Sequence, residues 1–177
     1  MSVPEIVVLL AGSVLLLIFT WQFSVKAGRF HGLYRFIAFE SILILCLLNW
    51  PYWFEEPFSW HQTISWILLC GSLFPAVVGF RLLRSVGAPS VQFENTTRLV
   101  TVGLYKYIRH PLYASLMLLG LGVMFKHLSI AGVICGSVNI AAIFATALQE
   151  EKEMIQKFGL EYSAYMKKST MFIPYIF

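Results

Sequence analysis

Apolar residues in this chain come in long unbroken runs rather than in the stripes or alternations of a water-soluble fold. Positions 6–25 carry no charged residue. Wound as a helix at about 1.5 Å per residue, that run crosses about 30 Å, one hydrocarbon core. A second run covers 33–54, with Glu40 in its first two turns, and a third covers 57–80, with His61 inside it. A shorter fourth covers 111–125 and a fifth 128–149. Only Lys126 and His127 separate the last two, which predicts an antiparallel helical hairpin. The first run could be taken for a secretory signal. No basic residue precedes it, and it exceeds the roughly 7–15 residues of a signal core, so it reads as a retained span.

The pattern predicts an all-α, polytopic membrane protein with about five transmembrane helices and a short helical tail. It forms a single membrane domain over 1–177: three spans within 1–80, a connecting loop at 81–110, a hairpin at 111–149 and a tail at 150–177. Composition agrees. Residues are 58% hydrophobic and 12% charged, against about 25% charged in soluble domains. The net charge of +4 sits mostly at the ends of apolar runs, which argues for membrane orientation and against nucleic acid as a partner. Lys26, Arg29 and Arg35 mark the first loop, and Arg81, Arg84, Arg98, Lys106 and Arg109 the third. The second carries Glu55 and Glu56 among Trp50, Tyr52, Trp53, Phe54, Phe58 and Trp60, an aromatic belt. Loops one and three are therefore expected in the cytoplasm, with the N-terminus outside and the C-terminus cytoplasmic. Cys46, Cys70 and Cys135 lie inside apolar runs and read as small buried hydrophobes; no spacing suits a metal.

The tail should continue the fifth span as a helix, stop at Gly159 and resume over about 160–168. Met154, Phe158, Tyr162 and Met166 recur every four residues, so one face should pack back on the protein. Glu153 and Lys157 form a favourable pair one turn apart.

Two clusters carry candidate chemistry. The first runs from Leu99 and Val100 through Tyr105 to Arg109, His110, Pro111, Leu112 and Tyr113. Pro111 suits the first position of a helix, which leaves His110 at its positive end, where free backbone N–H groups attract anions. Arg109 adds a fixed charge there. The plainer reading makes Arg109 and Lys106 ordinary anchors and His110 a passive cap. The second cluster, Glu150-Glu151-Lys152-Glu153, puts acid at a helix C-terminal end, against the helix dipole and on the side where positive charge is preferred. Rule-breaking of this kind often marks a site. Neighbours on a helix point about 100° apart, so only one of Glu150 and Glu151 need face inward. The plainer reading is a solvated charged tail. Together the clusters suit a zwitterionic ligand, an amino-acid head gripped at its carboxylate and its ammonium.

At this point the chain resembles a family. Arg109-His110-Pro111-x-Tyr113, preceded by Gly103-x-Tyr105 and followed after a hairpin by Glu150-Glu151 and Phe158-Gly159-x-Glu161-Tyr162-x-x-Tyr165, is similar to the isoprenylcysteine carboxyl methyltransferases and their prokaryotic relatives. The phospholipid N-methyltransferases share a looser version. The resemblance covers about 97–174. It implies a membrane enzyme, in the cell membrane if the chain is prokaryotic, that holds S-adenosylmethionine at the cytoplasmic side. The tail would close the cofactor site, and a lateral opening would admit lipophilic or small methyl acceptors from the bilayer. It puts cofactor contacts at Leu99, Val100, Tyr105, His110, Pro111, Leu112 and Tyr113, with Thr97 and Arg98 at contact positions. Glu150 matches an acidic catalytic or substrate-contacting position and Glu151 its neighbour. Neither a covalent nucleophile nor a metal is expected, because methyl transfer from a sulfonium needs mainly positioning. One departure stands out. The isoprenylcysteine enzymes carry an arginine one turn before that glutamate; here the position is Thr146, which opens the acceptor to amines and thiols.

Other readings remain. Membrane sterol reductases resemble this core and bind a nicotinamide cofactor. A small transporter or membrane subunit could use Glu40 as an ion or proton site, though Glu40 near the membrane surface more simply pairs with a polar group. Gly120-x-Gly122 suits close helix packing. Asn95-Thr96-Thr97 fits a glycosylation sequon, unusable if that loop is cytoplasmic.

Overall fold

The computed structural model describes residues 2–22, 31–88 and 96–176. The sequon asparagine Asn95, and Lys26 and Arg29 of the first loop, lie outside them. Six α-helices appear among the described residues: α1 (Val3–Thr20), α2 (Gly32–Asn49), α3 (Trp60–Ser85), α4 (Pro111–Met124), α5 (Ile130–Phe158) and α6 (Leu160–Met166). Short 3-10 turns occur at Trp50–Tyr52 and Gly103–Lys106. No strand is present among these residues beyond a single bridge between Ile108 and Thr170.

Helices α1, α2, α3 and α5 are long and apolar enough to cross a membrane. Helix α4 is apolar but has 14 residues, about 21 Å at 1.5 Å per residue, short of the roughly 30 Å hydrocarbon core. The boundaries move in informative ways. Helix α2 tightens into a 3-10 turn at Trp50, where Pro51 removes a backbone donor. Helix α3 continues to Ser85, so Arg81 and Arg84, expected in the loop, form its last turn. Basic residues are favourable at that end of a helix dipole. Helix α5 runs on into the tail to Phe158. Gly159 then takes φ 56° and ψ −126°, a combination that a side chain strains, and α6 follows.

The chain forms two compact units. One comprises Met1–Cys70 with Met117–Thr146, the other Gly71–Leu116 with Ala147–Phe177. In the first, α1 and α2 pack together, with Phe19 edge-on to Phe39 at 6.4 Å. Ser13 Oγ lies 2.5 Å from Glu40 Oε1, so Glu40 meets a polar group on α1. Buried polar side chains then tie helix to helix through carbonyl groups. Asn49 Nδ2 donates to Val123 O at 2.7 Å, Ser65 Oγ to Gly122 O at 2.7 Å and Asn139 Nδ2 to Ala38 O at 2.9 Å. Such bonds suit a lipid environment, where no water competes for the carbonyls. Helices α4 and α5 form the expected hairpin. A methyl group on Gly120 would fall 2.5 Å from Asn139 Oδ1, and one on Gly122 would fall 2.9 Å from Leu69 Cδ2. These glycines are close-approach points.

In the second unit the tail is sewn to the segment before α4. Arg109 N–H donates to Thr170 O (2.9 Å), His110 N–H to Met171 O (3.1 Å) and Thr170 N–H to Tyr107 O (3.0 Å). Lys157 Nζ reaches Thr96 O at 2.6 Å. Tyr162, Tyr165, Met171 and Phe172 are buried, the packed face that the four-residue recurrence foretold in part.

Candidate functional site

Pro111 opens α4 and leaves His110 as the residue before the helix. Tyr113 lies three residues on, on the same side, and its ring stacks on that of His110 at 5.5 Å; Phe172 from the tail approaches the same imidazole at 6.0 Å. The ring is therefore held between aromatic groups, and its two nitrogens face two carboxylates. His110 Nε2 lies 3.3 Å from Glu151 Oε1, and Nδ1 lies 3.8 Å from Glu150 Oε2. Both glutamates thus reach His110, although adjacent helical positions diverge by about 100°. The imidazole sits between the two directions.

The pair is not equivalent. The Glu151 side chain is 7% exposed and that of Glu150 25%. Glu151 also accepts from Arg109 Nε at 2.7 Å. Arg109 Nη1 donates to Met166 O at 3.3 Å and to Ser169 O. The sequence suggested that Arg109 adds a fixed positive charge to an anion site. The structure shows what that charge meets: its guanidinium bonds to Glu151 and to two tail carbonyls. A buried carboxylate needs such a partner, because unpaired it would carry a large desolvation cost.

Leu99, Val100, Tyr105, His110 and Glu150 border one cavity of about 70 Å³, completed by Tyr162, Tyr165, Arg109, Thr96, Leu83 and Met154. Tyr165 Oη donates to Tyr105 O at 2.6 Å. Burial, reinforced by the nearby Glu150 carboxylate, holds the Tyr105 phenol well above its ordinary range. Burial likewise raises Tyr162, with Glu151 and Glu150 adding to it. Burial pushes Tyr165 up to about 12. All three stay neutral donors at ordinary pH.

Pro111 and Leu112 do not border this cavity. They stand against Gly79 of α3, where an added methyl would meet Pro111 Cγ at 3.1 Å and Leu112 Cδ2 at 3.3 Å. Tyr113 backs His110 rather than bordering the cavity. Phe172 and the carbonyls of Met166 and Ser169 had no signal in the sequence. Tyr162 had one in the four-residue recurrence, and both Tyr162 and Tyr165 stand in the motif that carries the family resemblance, but no role had been read for either. Among the described residues no group of three metal-binding side chains converges.

The arrangement offers one partly open carboxylate, an imidazole at a helix start and neutral phenols around a small space of mixed polar and apolar lining. That donor set fits a zwitterionic amino-acid head with a flat group attached.

The model of the phospholipid methyltransferase family matches residues 60–161. Two methanethiol S-methyltransferases are similar. That of Crocosphaera subtropica is 29% identical over 116 residues, covering 64% of this chain and 44% of the relative. Methanethiol S-methyltransferase 1 of Bradyrhizobium diazoefficiens is 33% identical over 117 residues, covering 63% and 39%. The nickel-cobalt-cadmium resistance protein NccN of Alcaligenes xylosoxydans xylosoxydans is 27% identical over 83 residues, covering 46% and 38%. The match thus spans less than half the length of each of these relatives. The family match takes in α3, α4, α5 and both halves of the His110 cluster, and on that extent the chain belongs to the phospholipid methyltransferase family.

Proposed function

We propose that this chain is an S-adenosylmethionine-dependent methyltransferase acting on a lipophilic or small acceptor at the cytoplasmic membrane face. The observation that carries this reading is His110, held between Glu150 and Glu151 at the start of α4 and bordering a cavity with Tyr105, Leu99 and Val100. The N–H groups of the first turn of α4 suit the methionine carboxylate. Glu150, the less buried of the pair, suits its ammonium or an acceptor proton. The phenols and apolar residues suit the adenosyl portion. S-adenosylmethionine supplies a methyl group on a sulfonium, and its departure leaves a neutral thioether. This chain has only to align the acceptor, exclude water and take up a proton.

The half-open space of about 70 Å³ lies well below the roughly 300–1,000 Å³ of ordinary ligand pockets. Cofactor entry would therefore widen it, against Tyr162 and Tyr165 of the tail that border it.

A small thiol is the first acceptor to try. Thr146, where the isoprenylcysteine enzymes carry arginine, turns its hydroxyl to Ala142 O at 2.7 Å and offers no cation to an acceptor carboxylate. The names of the two thiol-methylating relatives point the same way. We further propose a multi-pass topology with the N-terminus outside and the C-terminus cytoplasmic.

Calorimetry in detergent tests the reading. The wild type should bind S-adenosylmethionine, while His110→Ala and Glu150→Gln should bind at least about tenfold more weakly, the loss of one charge-assisted contact. Absence of binding by the wild type at saturating cofactor would overturn it. Transfer of labelled methyl into small thiols, lipid extracts and isoprenyl-cysteine analogues would then identify the acceptor.

A further inference from the structure

The second unit contains another recess, of about 530 Å³. It shares Leu99 and Tyr165 with the small cavity but contains neither His110 nor either glutamate of the pair. Lys106 and Lys168 stand on its rim, with Tyr107, Tyr175 and Glu161. Lys106 Nζ lies 5.8 Å above the Tyr107 ring, and Tyr107 meets Tyr175 edge-on at 6.0 Å. Among the described residues neither lysine has a carboxylate partner. Two cations and one carboxylate, Glu161, thus border the recess, which leaves one positive charge in excess among its described side chains.

The end of the tail, which supplies Tyr175 to the rim, exposes apolar side chains. Ile173 is 52% exposed, Tyr175 84% and Ile176 78%. In water such a cluster is a liability. At a lipid–water boundary, lysine, tyrosine and isoleucine together are the expected mixture, with apolar parts toward the chains and ammonium groups toward phosphates. The rim is also built in advance, because backbone bonds from 107–110 to 170–171 fix both sides of it. Its volume falls within the range of ligand pockets. Glu161 narrows the choice further: a carboxylate in the wall opposes a doubly charged free phosphate yet can accept from the hydroxyls of a headgroup.

We propose that this recess binds the phosphodiester headgroup of an anionic membrane lipid carrying hydroxyls, of the phosphatidylglycerol kind, as a ligand that is not methylated and that anchors the tail. The inference stands apart from the methyl-transfer reading, since it uses none of that site's charged residues.

Titration of the full chain in detergent tests it, with short-chain phosphatidylglycerol, short-chain phosphatidylcholine and inorganic phosphate as separate probes. Phosphatidylglycerol should bind tightest. Lys106→Gln/Lys168→Gln should weaken it about 25-fold, about fivefold for each lysine, with thermal unfolding unchanged. Lys152→Gln/Lys167→Gln, which removes equal charge outside the recess, should leave it within about twofold. Should the lysine pair perturb folding, Glu161→Gln gives an independent reading: it should tighten inorganic phosphate and narrow the gap to the lipid. Equal binding of the two lipids, displacement by equimolar phosphate, or equal losses in both double variants would each overturn the proposal. Displacement of the lipid by saturating S-adenosylmethionine would also overturn it, by assigning the recess to the cofactor.

Discussion

Glu150 and Glu151 are neighbours with different surroundings, and the difference predicts different failures. Removing the charge of Glu151 strands the Arg109 guanidinium in a buried setting, a change that typically costs about 3–5 kcal/mol. Glu151→Gln should therefore lower the melting temperature markedly in detergent. Glu150 is partly open and has only the longer approach to His110. Glu150→Gln should melt within about 0.5 kcal/mol of the wild type, as exposed changes do, while losing cofactor affinity or turnover. Equal melting of the two variants would contradict this division. The sequence exposed both residues as acid at the wrong end of a helix. It could not say which was buried, because that depends on Arg109 reaching α5 from a distant stretch of chain. The same long-range pairing explains why the partners of the fixed charge on Arg109 could not be read from the sequence. Tyr165 belongs to this scale too. An unfolded tyrosine ionises near pH 10, whereas burial holds this one up to about 12. Its contribution is fully present below pH ~10 and is lost as pH rises from there toward about 12. Alkaline unfolding followed by circular dichroism should begin in that window and be shifted upward in Tyr165→Phe. That variant should itself be about 1 kcal/mol less stable at neutral pH for want of the bond to Tyr105 O.

Helices were the most legible part of the chain, since run length alone reveals them. The hairpin of α4 and α5, the continuation of α5 past the apolar run and the stop at Gly159 all followed from local residues. Gly159→Ala should cost about 1–3 kcal/mol through backbone strain alone, because no atom lies within 4 Å of the added methyl. Gly120→Ala should cost a similar amount for the opposite reason: its backbone is relaxed, but the methyl would collide with Asn139 Oδ1. Adding a second change, Asn139→Ala, should relieve Gly120→Ala and leave Gly159→Ala unaffected. Chemical-denaturation midpoints of the single and double variants would decide it. Helix ends were less legible. Arg81 and Arg84 looked like loop residues because charge ends an apolar run, yet charge at a helix C-terminus stabilises the last turn rather than ending it.

At the level of the whole molecule, the residues of the His110 cluster come from 99–113, 150–151 and the tail through Phe172. None comes from α1 or α2. If S-adenosylmethionine widens the space of about 70 Å³ that Tyr162 and Tyr165 border, its binding should alter amide exchange of 160–172 more than that of α1 or α2. Uniform protection along the chain would count against this. How the tail closes was the least legible feature. Tail and loop meet through backbone groups, which any sequence carries.

Arg109 grips the carbonyl oxygens of Met166 and Ser169 rather than their side chains. A scan that replaces side chains one at a time along the tail would pass over those two positions and find little. On the tail's side the fastening is written in the peptide links, so at those two positions an altered main chain is what would unfasten it, through an inserted proline, a deleted residue or an amide exchanged for an ester. Tails of quite different spelling could therefore serve the same loop, provided their turns present two oxygens at the same place.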